Sequence, residues 1–320
     1  IIIKVWLQRK KKNIFPFILV DDLEKLKKVN NFFNLKAKFI SFNPGQDVYQ
    51  IFEKYIPVVD LKANINFTHG LPSKVNSKFV LRSINTAVDL ILKKKASSLL
   101  TLPVCKKTLK LSKFNFNGQT EYLSYLTSKI DGIKKSEIMI LSTSKPIDKG
   151  KNLIVGLITT HLPLKKIHSN INKDKILKKI ISFKKSLTKI WGINSPKIGI
   201  TSINPHAGEG GLIGDEEVKI LNPALKECKK LNIRITGPIS SDSCFHKSSR
   251  ERFDGIICFY HDQGLIPVKT LDFENSVNVT GGLPFIRVSP DHGPAFDIAK
   301  KNTANLDSLF ACFDFLKKRI

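Results

Sequence analysis

The chain has 320 residues, of which 42% are hydrophobic and 25% charged, a balance that excludes a disordered or fibrous protein and allows a sizeable buried core. Its net charge of +26 raises nucleic acid as a partner, but the excess is lysine, the basic clusters at Lys10–Lys12, Lys93–Lys95 and Lys165–Lys166 are scattered, and no recognition motif accompanies them. A-and-T-rich codons account for abundant Lys, Ile, Asn and Phe without nucleic-acid binding, although the field can still draw in anionic ligands.

Five cysteines, an odd number without a CxxC pair, point to reduced thiols in the cytoplasm rather than a disulfide frame. The apolar run at 14–20 is far too short to span a membrane. The opening IIIKVWLQRKKK puts apolar residues before basic ones, the reverse of a secretory signal. It reads as the end of a helix, and a truncated N-terminus is expected.

In chain order, residues 15–20 read as a strand. Residues 21–28 read as a helix capped by Asp21 or Asp22. Residues 78–95 form a long helix with Val80, Ile84, Val88, Ile91 and Leu92 on one face. Short apolar strands are expected at 98–102, 151–160, 197–203 and 254–260, with helices at 171–190 and 216–231. This alternation predicts βαβ units and a mostly parallel sheet.

Three of these strands end in histidine: LIVGLITTH at His161, IGITSINPH at His206 and GIICFYH at His261. The carboxyl ends of parallel strands lie together and bind ligands, so the three imidazoles are candidate ligands of a divalent metal acting as a Lewis acid. The bland alternative is three loop histidines. The turn Asn204-Pro-His-Ala-Gly-Glu-Gly-Gly211 lets backbone approach a ligand closely, with Asp215 as a candidate cap for the helix that follows. Its spacing, GxGxxxG, argues against an ordinary dinucleotide fingerprint. Asp262, beside His261, suits orienting a ligand or moving a proton, or simply capping a helix. Lys269, Asn278 and Arg287 follow as anion-binding candidates. The loop SPDHGPAFDIA, running into a helix, suits a phosphate or an adenosine group.

SINPHAGEGGLIGDEE, YHDQGLIPVK and VNVTGGLPFIRVSPDHGPAFDIA closely resemble the 4-hydroxythreonine-4-phosphate dehydrogenase family of vitamin B6 synthesis. TTHLPLKKI and FNGQTEYL resemble its other hallmark segments, and the similarity is strongest over residues 98–297. The resemblance implies an α/β, two-domain fold like the isocitrate and isopropylmalate dehydrogenases, with mostly parallel sheets and an interdomain cleft. A first, discontinuous domain would take residues 1–115 plus 272–320, and a second, carrying the histidines, 116–271. It implies a homodimer with active sites at the subunit interface, and His161, His206 and His261 as ligands of one divalent metal, Zn, Mg, Co or Mn. Gln119, Thr120, Lys269, Asn278 and Arg287 would contact the phosphorylated hydroxy-amino acid, with Asp262 in support. His292, Gly293 and Asp297 would contact NAD, or NADP.

The implied reaction is oxidation of a secondary alcohol by hydride transfer, then loss of carbon dioxide from the β-keto acid. Three departures stand out. Gln119 replaces the family's His before Thr-Glu and cannot titrate. The family's GPVHK-like segment reads Leu102-Pro-Val-Cys-Lys106. The glycine-rich GDPAGIG-like segment would precede Ile1, so an unpaired strand edge is expected. These departures keep two alternatives in view: a dehydrogenase of a four-carbon sugar-acid phosphate such as threonate or erythronate 4-phosphate, and a catalytically impaired homologue.

Overall fold

The computed structural model describes residues 1–132 and 136–320. The chain forms two compact units, one of residues 1–119 with 288–318 and 320, the other of 120–287 with Arg319.

The first unit holds a parallel sheet in the order β1 (Leu19–Asp21), β3 (Ile56–Asp60), β2 (Phe39–Ser41). The expected strand at 15–20 begins later, at Leu19. Asp22, rather than Asp21, caps the next helix, Leu23–Phe32, by accepting Lys25 N at 2.8 Å. Its other oxygen accepts Ala63 N and Asn64 N, and these backbone bonds hold the carboxyl below its usual range against the opposing effect of burial. Trp6, Phe52, Ile56, Val58, Leu309 and Phe313 build the core here. In the same unit the Val288 carbonyl of β11 (Ile286–Pro290) accepts Thr101 N, just past β4 (Ser98–Leu100). The long helix is Ser77–Leu92, with Ile84, Val88 and Ile91 buried as the periodicity predicts.

The second unit is a sheet in the order β10 (Val277–Gly281), β5 (Ile138–Ser142), β6 (Ile154–Leu157), β9 (Gly255–Cys258), β7 (Ile198–Thr201), β8 (Ile235–Ile239). From β6 to β8 neighbours run parallel, whereas β5 is antiparallel to both β6 and β10. The expected α/β class with mostly parallel strands therefore holds. Because β10 pairs with β5, its residues belong to this unit, although the sequence reading assigned 272–320 to the first domain.

Strands β5, β6, β9 and β7 are buried on both faces, which is why they are mostly continuous apolar runs rather than alternating ones. The helix Lys173–Trp191, capped by Asn172, lays Ile180, Phe183 and Leu187 on the sheet. Phe183 packs so closely that a Cβ on Gly156 would sit 2.8 Å from its ring, so any larger residue there would push the helix away. The helix expected at 216–231 is two pieces, a π turn at Glu217–Leu221 and an α-helix at Asn222–Lys230. Asp215 makes no side-chain cap there and pairs instead with Lys219.

All five cysteines are free, and four are buried. Among the described residues no helix is long and apolar enough to cross a membrane.

Candidate active site

Three adjacent parallel strands, β6, β9 and β7, each run out into one of the predicted histidines. Pairing between β6 and β9 continues past their ends: Thr159 N donates to Phe259 O at 3.1 Å, and Thr159 Oγ1 to the same oxygen at 2.6 Å. That carries the next residues forward together, and the rings of His161 and His261 lie side by side with centroids 5.7 Å apart and planes tilted by 44°. His261 opens the helix His261–Leu271, and its Nδ1 lies 2.7 Å from Asp262 Oδ1. A carboxylate on Nδ1 fixes the imidazole so that Nε2 presents the lone pair. Asp262 thus orients His261 and is not the helix cap.

His206 stands beyond the end of β7, on the exposed turn Pro205–Gly211. The nearby Asp242 carboxyl is held below its usual range, first by the Ser240 hydroxyl and then by that of Ser243. Among the described residues of this one chain, no group of three or more His, Cys, Asp and Glu side chains is set to hold a metal. The paired imidazoles of His161 and His261, one with its tautomer set by a carboxylate, nevertheless match the donor chemistry of a divalent transition ion.

Sequence reasoning overlooked the group that locks this edge. Gln263, 9% exposed, accepts Phe259 N at 2.7 Å and the Thr201 hydroxyl at 3.0 Å through Oε1. Its Nε2 donates to Ser202 O and Ser241 Oγ, both at 2.8 Å. One side chain ties the exits of β9, β7 and β8. Only the period of the helix, which turns Gln263 inward while Asp262 faces out, signals this role. Replacing Gln263 with leucine strands a buried N–H and a buried carbonyl, and is expected to cost ~2–4 kcal/mol, read as a lower calorimetric Tm. A variant melting with the wild type would show that the strand exits are held by something else.

A second polar cluster lies on β10 and the residues around it. Arg287, 4% exposed, donates from Nη1 to Thr280 Oγ1 at 3.0 Å. Thr280 Oγ1 is 3.5 Å from Thr120 Oγ1. Asn278, two residues before Thr280, shares its face of β10. Its Oδ1 is buried without a hydrogen-bond partner among the described residues, an acceptor positioned for an external donor. Thr280 itself was missed, although the alternation in VNVT places it beside Asn278. The Nζ of Lys269 lies 4.9 Å over the Phe273 ring.

In the first unit Gln119 Nε2 donates to Leu102 O at 3.0 Å, so two departures from the family pattern touch: the glutamine amide holds the main chain of the altered 102–106 segment. Gln119 also lines an apolar cavity of about 570 Å³ walled by Phe15, Phe17, Ile84, Leu99 and Phe313. That cavity contains none of the histidines. His292, Gly293 and Asp297 lie on an exposed loop. His292 Nδ1 contacts Gly293 O at 3.0 Å, Ala295 is left-handed with φ +46°, and nothing lies within 4 Å of where a Cβ on Gly293 would be. Open backbone of this kind suits close approach by a nucleotide.

The family model of the pyridoxal phosphate biosynthetic protein PdxA matches residues 13–316. The chain belongs to the PdxA family. A PdxA-family relative from Caulobacter vibrioides, named 4-hydroxythreonine-4-phosphate dehydrogenase, is 35% identical over 303 residues, 94% of this chain and 88% of the relative. One of the same name from Sulfurihydrogenibium is 40% identical over 259 residues, 80% of this chain and 76% of the relative. The crystal structure of 4-hydroxythreonine-4-phosphate dehydrogenase from Klebsiella pneumoniae matches with a TM-score of 0.81 at 30% identity, covering 94% of this chain and 89% of that one. This PdxA chain is accordingly a member of a family of dehydrogenases, for which a nicotinamide hydride acceptor and a metal are the expected cofactor classes.

Proposed function

We propose that this chain catalyses the NAD-dependent oxidation and decarboxylation of 4-phosphohydroxy-L-threonine to 3-amino-2-oxopropyl phosphate, in the cytoplasm and as a homodimer with its active site at the subunit interface. The observation that carries the proposal is the His161–His261 pair at the carboxyl edge of adjacent parallel strands. His161, His206 and His261 would hold one divalent metal, which supplies Lewis acidity toward the substrate's alcohol oxygen. His292, Gly293 and Asp297 would hold the nicotinamide dinucleotide, which supplies the hydride acceptor.

The chain's own side chains do the rest. Arg287 offers a guanidinium and Lys269 an ammonium to the phosphate, turning it into a handle that fixes the reacting carbon. Thr120 and Thr280 supply hydroxyls beside that guanidinium. Asn278 Oδ1 accepts a hydrogen bond from the substrate's ammonium or hydroxyl, since burial leaves it needing one. Asp262 keeps the Nδ1 proton of His261. Gln119 holds the Leu102 carbonyl and so shapes the 102–106 loop rather than providing a titrating group.

The test is NADH formation from 4-phosphohydroxy-L-threonine by protein stripped with a chelator, then resupplied with Zn, Co, Mn or Mg. Turnover is expected to fall ~100-fold or more on stripping and to return with at least one ion. Undiminished turnover after chelation, or none with any ion, defeats the proposal. A second reading, oxidation of threonate or erythronate 4-phosphate, draws on Gln119 and its bond to Leu102. It predicts a higher kcat/KM on those acids than on the amino acid.

A further inference from the structure

The turn that carries His206 is strained. His206, Ala207, Gly208, Glu209 and Gly210 are consecutive left-handed residues, with φ between +41° and +74°. Three of them are not glycine, and a Cβ disfavours this conformation. A conformation of this kind persists only where its surroundings impose it.

The surroundings converge on one carboxylate. Glu217, 2% exposed, accepts Ile203 N at 2.7 Å and Asn204 N at 2.8 Å on Oε1, the two amides at the exit of β7. Its Oε2 accepts Asn204 Nδ2 at 2.9 Å. The same amide nitrogen reaches Glu216 Oε2 at 2.7 Å, and Glu216 Oε1 is 2.8 Å from His168 Nδ1. On the turn's other side, Gly208 lies so close that a Cβ there would sit 2.8 Å from Glu217 Oε2, and Ile213 N closes the loop on Gly208 O at 3.1 Å. Glu217 begins the π turn Glu217–Leu221, an irregularity that recurs at functional sites.

We propose that Glu217 is the positioning residue for His206: its buried carboxylate holds the main chain that enters the left-handed turn, lies against the middle of the turn at Gly208, and so sets the affinity for the divalent ion from outside the ligand set. This rests on the reading of His206 as a metal ligand. The carboxylate is suited because it accepts three hydrogen bonds and donates none. A glutamine can keep the two backbone amides on its oxygen, but it then turns an N–H toward the Asn204 amide, donor against donor. The turn loses the Asn204 side-chain bond while β7 remains in place.

The experiment titrates metal-free full-length protein with Co(II) and reads affinity and the visible absorption of the bound ion. The proteins are wild type, Glu217→Gln, His206→Ala and their double variant, with Asn204→Ala in the same cycle in case Glu217→Gln does not fold. Glu217→Gln is expected to weaken Co(II) binding ~10–100-fold and change the absorption band, as loss of an orienting partner does. The double variant should bind no more weakly than His206→Ala alone, because Glu217 acts only through that imidazole. If Glu217→Gln weakens binding equally with and without His206, or binds as wild type while His206→Ala does not, this inference falls and the metal reading stands. If His206→Ala binds Co(II) as wild type does, the metal reading falls and takes this inference with it.

Discussion

Arg250→Met is expected to destabilise the protein by about 3–5 kcal/mol, a Tm lower by on the order of 10 °C in calorimetry. The Arg250 side chain is 1% exposed, and every bond it makes is internal. It forks onto Asp148 with Nη1–Oδ2 at 2.8 Å and Nη2–Oδ1 at 2.7 Å. It also donates to the carbonyls of Lys151 and Phe245 at 3.1 and 3.0 Å. Methionine fills much of the volume but leaves a carboxylate and two carbonyls without their donor. Lysine keeps the charge but not the fork, so Arg250→Lys should recover only part of the loss. The guanidinium pulls the Asp148 carboxyl from its ordinary value of 3.8 to about 2. A carboxyl lowered by folding contributes stability that is present above its unfolded value and lost as pH falls through the folded one. The wild type should therefore shed stability between about pH 4 and pH 2, and Arg250→Met should lack this part of its acid dependence. Asp148 is 30% exposed, so solvent screens its side of the pair and this acid-sensitive share is the smaller part of the total. A variant that melts with the wild type and keeps the same acid limb would remove the pair from the architecture.

The parallel strands that carry the site were legible because they are buried on both faces. A run such as Ile-Val-Gly-Leu at β6, followed within a few residues by a polar cluster, states both a strand and its end. The strands that escaped reading did so for local reasons. Ile138–Ser142 is a short apolar run with no alternation, which periodicity cannot separate from a buried helix. Phe39–Ser41 is three residues long. In β10 and β11 the buried polar residues Thr280, Arg287 and Ser289 interrupt the apolar pattern and read as loop, because Arg287 meets Thr280 across a strand connection and Thr120 reaches Thr280 from 160 residues away. The same non-locality hid Gln263 and Glu217. Each appears in sequence as one more polar residue near a helix start; the meeting of three strand exits turns Gln263 inward, and the exit of β7 alone does so for Glu217. The glycine pattern after β7, whose GxGxxxG spacing argues against a dinucleotide fingerprint, belongs to the left-handed turn that carries His206.

His261→Ala is expected to lower kcat by about 10³-fold, the several kcal/mol of charge stabilisation that a Lewis-acidic ion contributes, with stability little changed. The asymmetry follows from where the residue sits. His261 is the first residue of its helix, its side chain is 36% exposed, and its bond to Asp262 spans neighbours, so alanine removes no core contact. What alanine does remove is the imidazole that lies beside His161 across the β6–β9 seam. Asp262→Asn tests the same geometry more gently. An asparagine that turns its oxygen to Nδ1 still accepts that proton but without charge, so metal affinity should drop ~10–100-fold while the apparent KM for substrate holds. Arg287→Met should do the opposite, raising KM for the phosphorylated substrate through loss of the phosphate handle while leaving bound metal per chain unchanged. Metal content and the two kinetic constants measured on the three variants separate the histidine edge from the arginine cluster. If His261→Ala keeps full metal content and kcat, the paired imidazoles are a packing feature of two strand ends and the chemistry must be sought elsewhere.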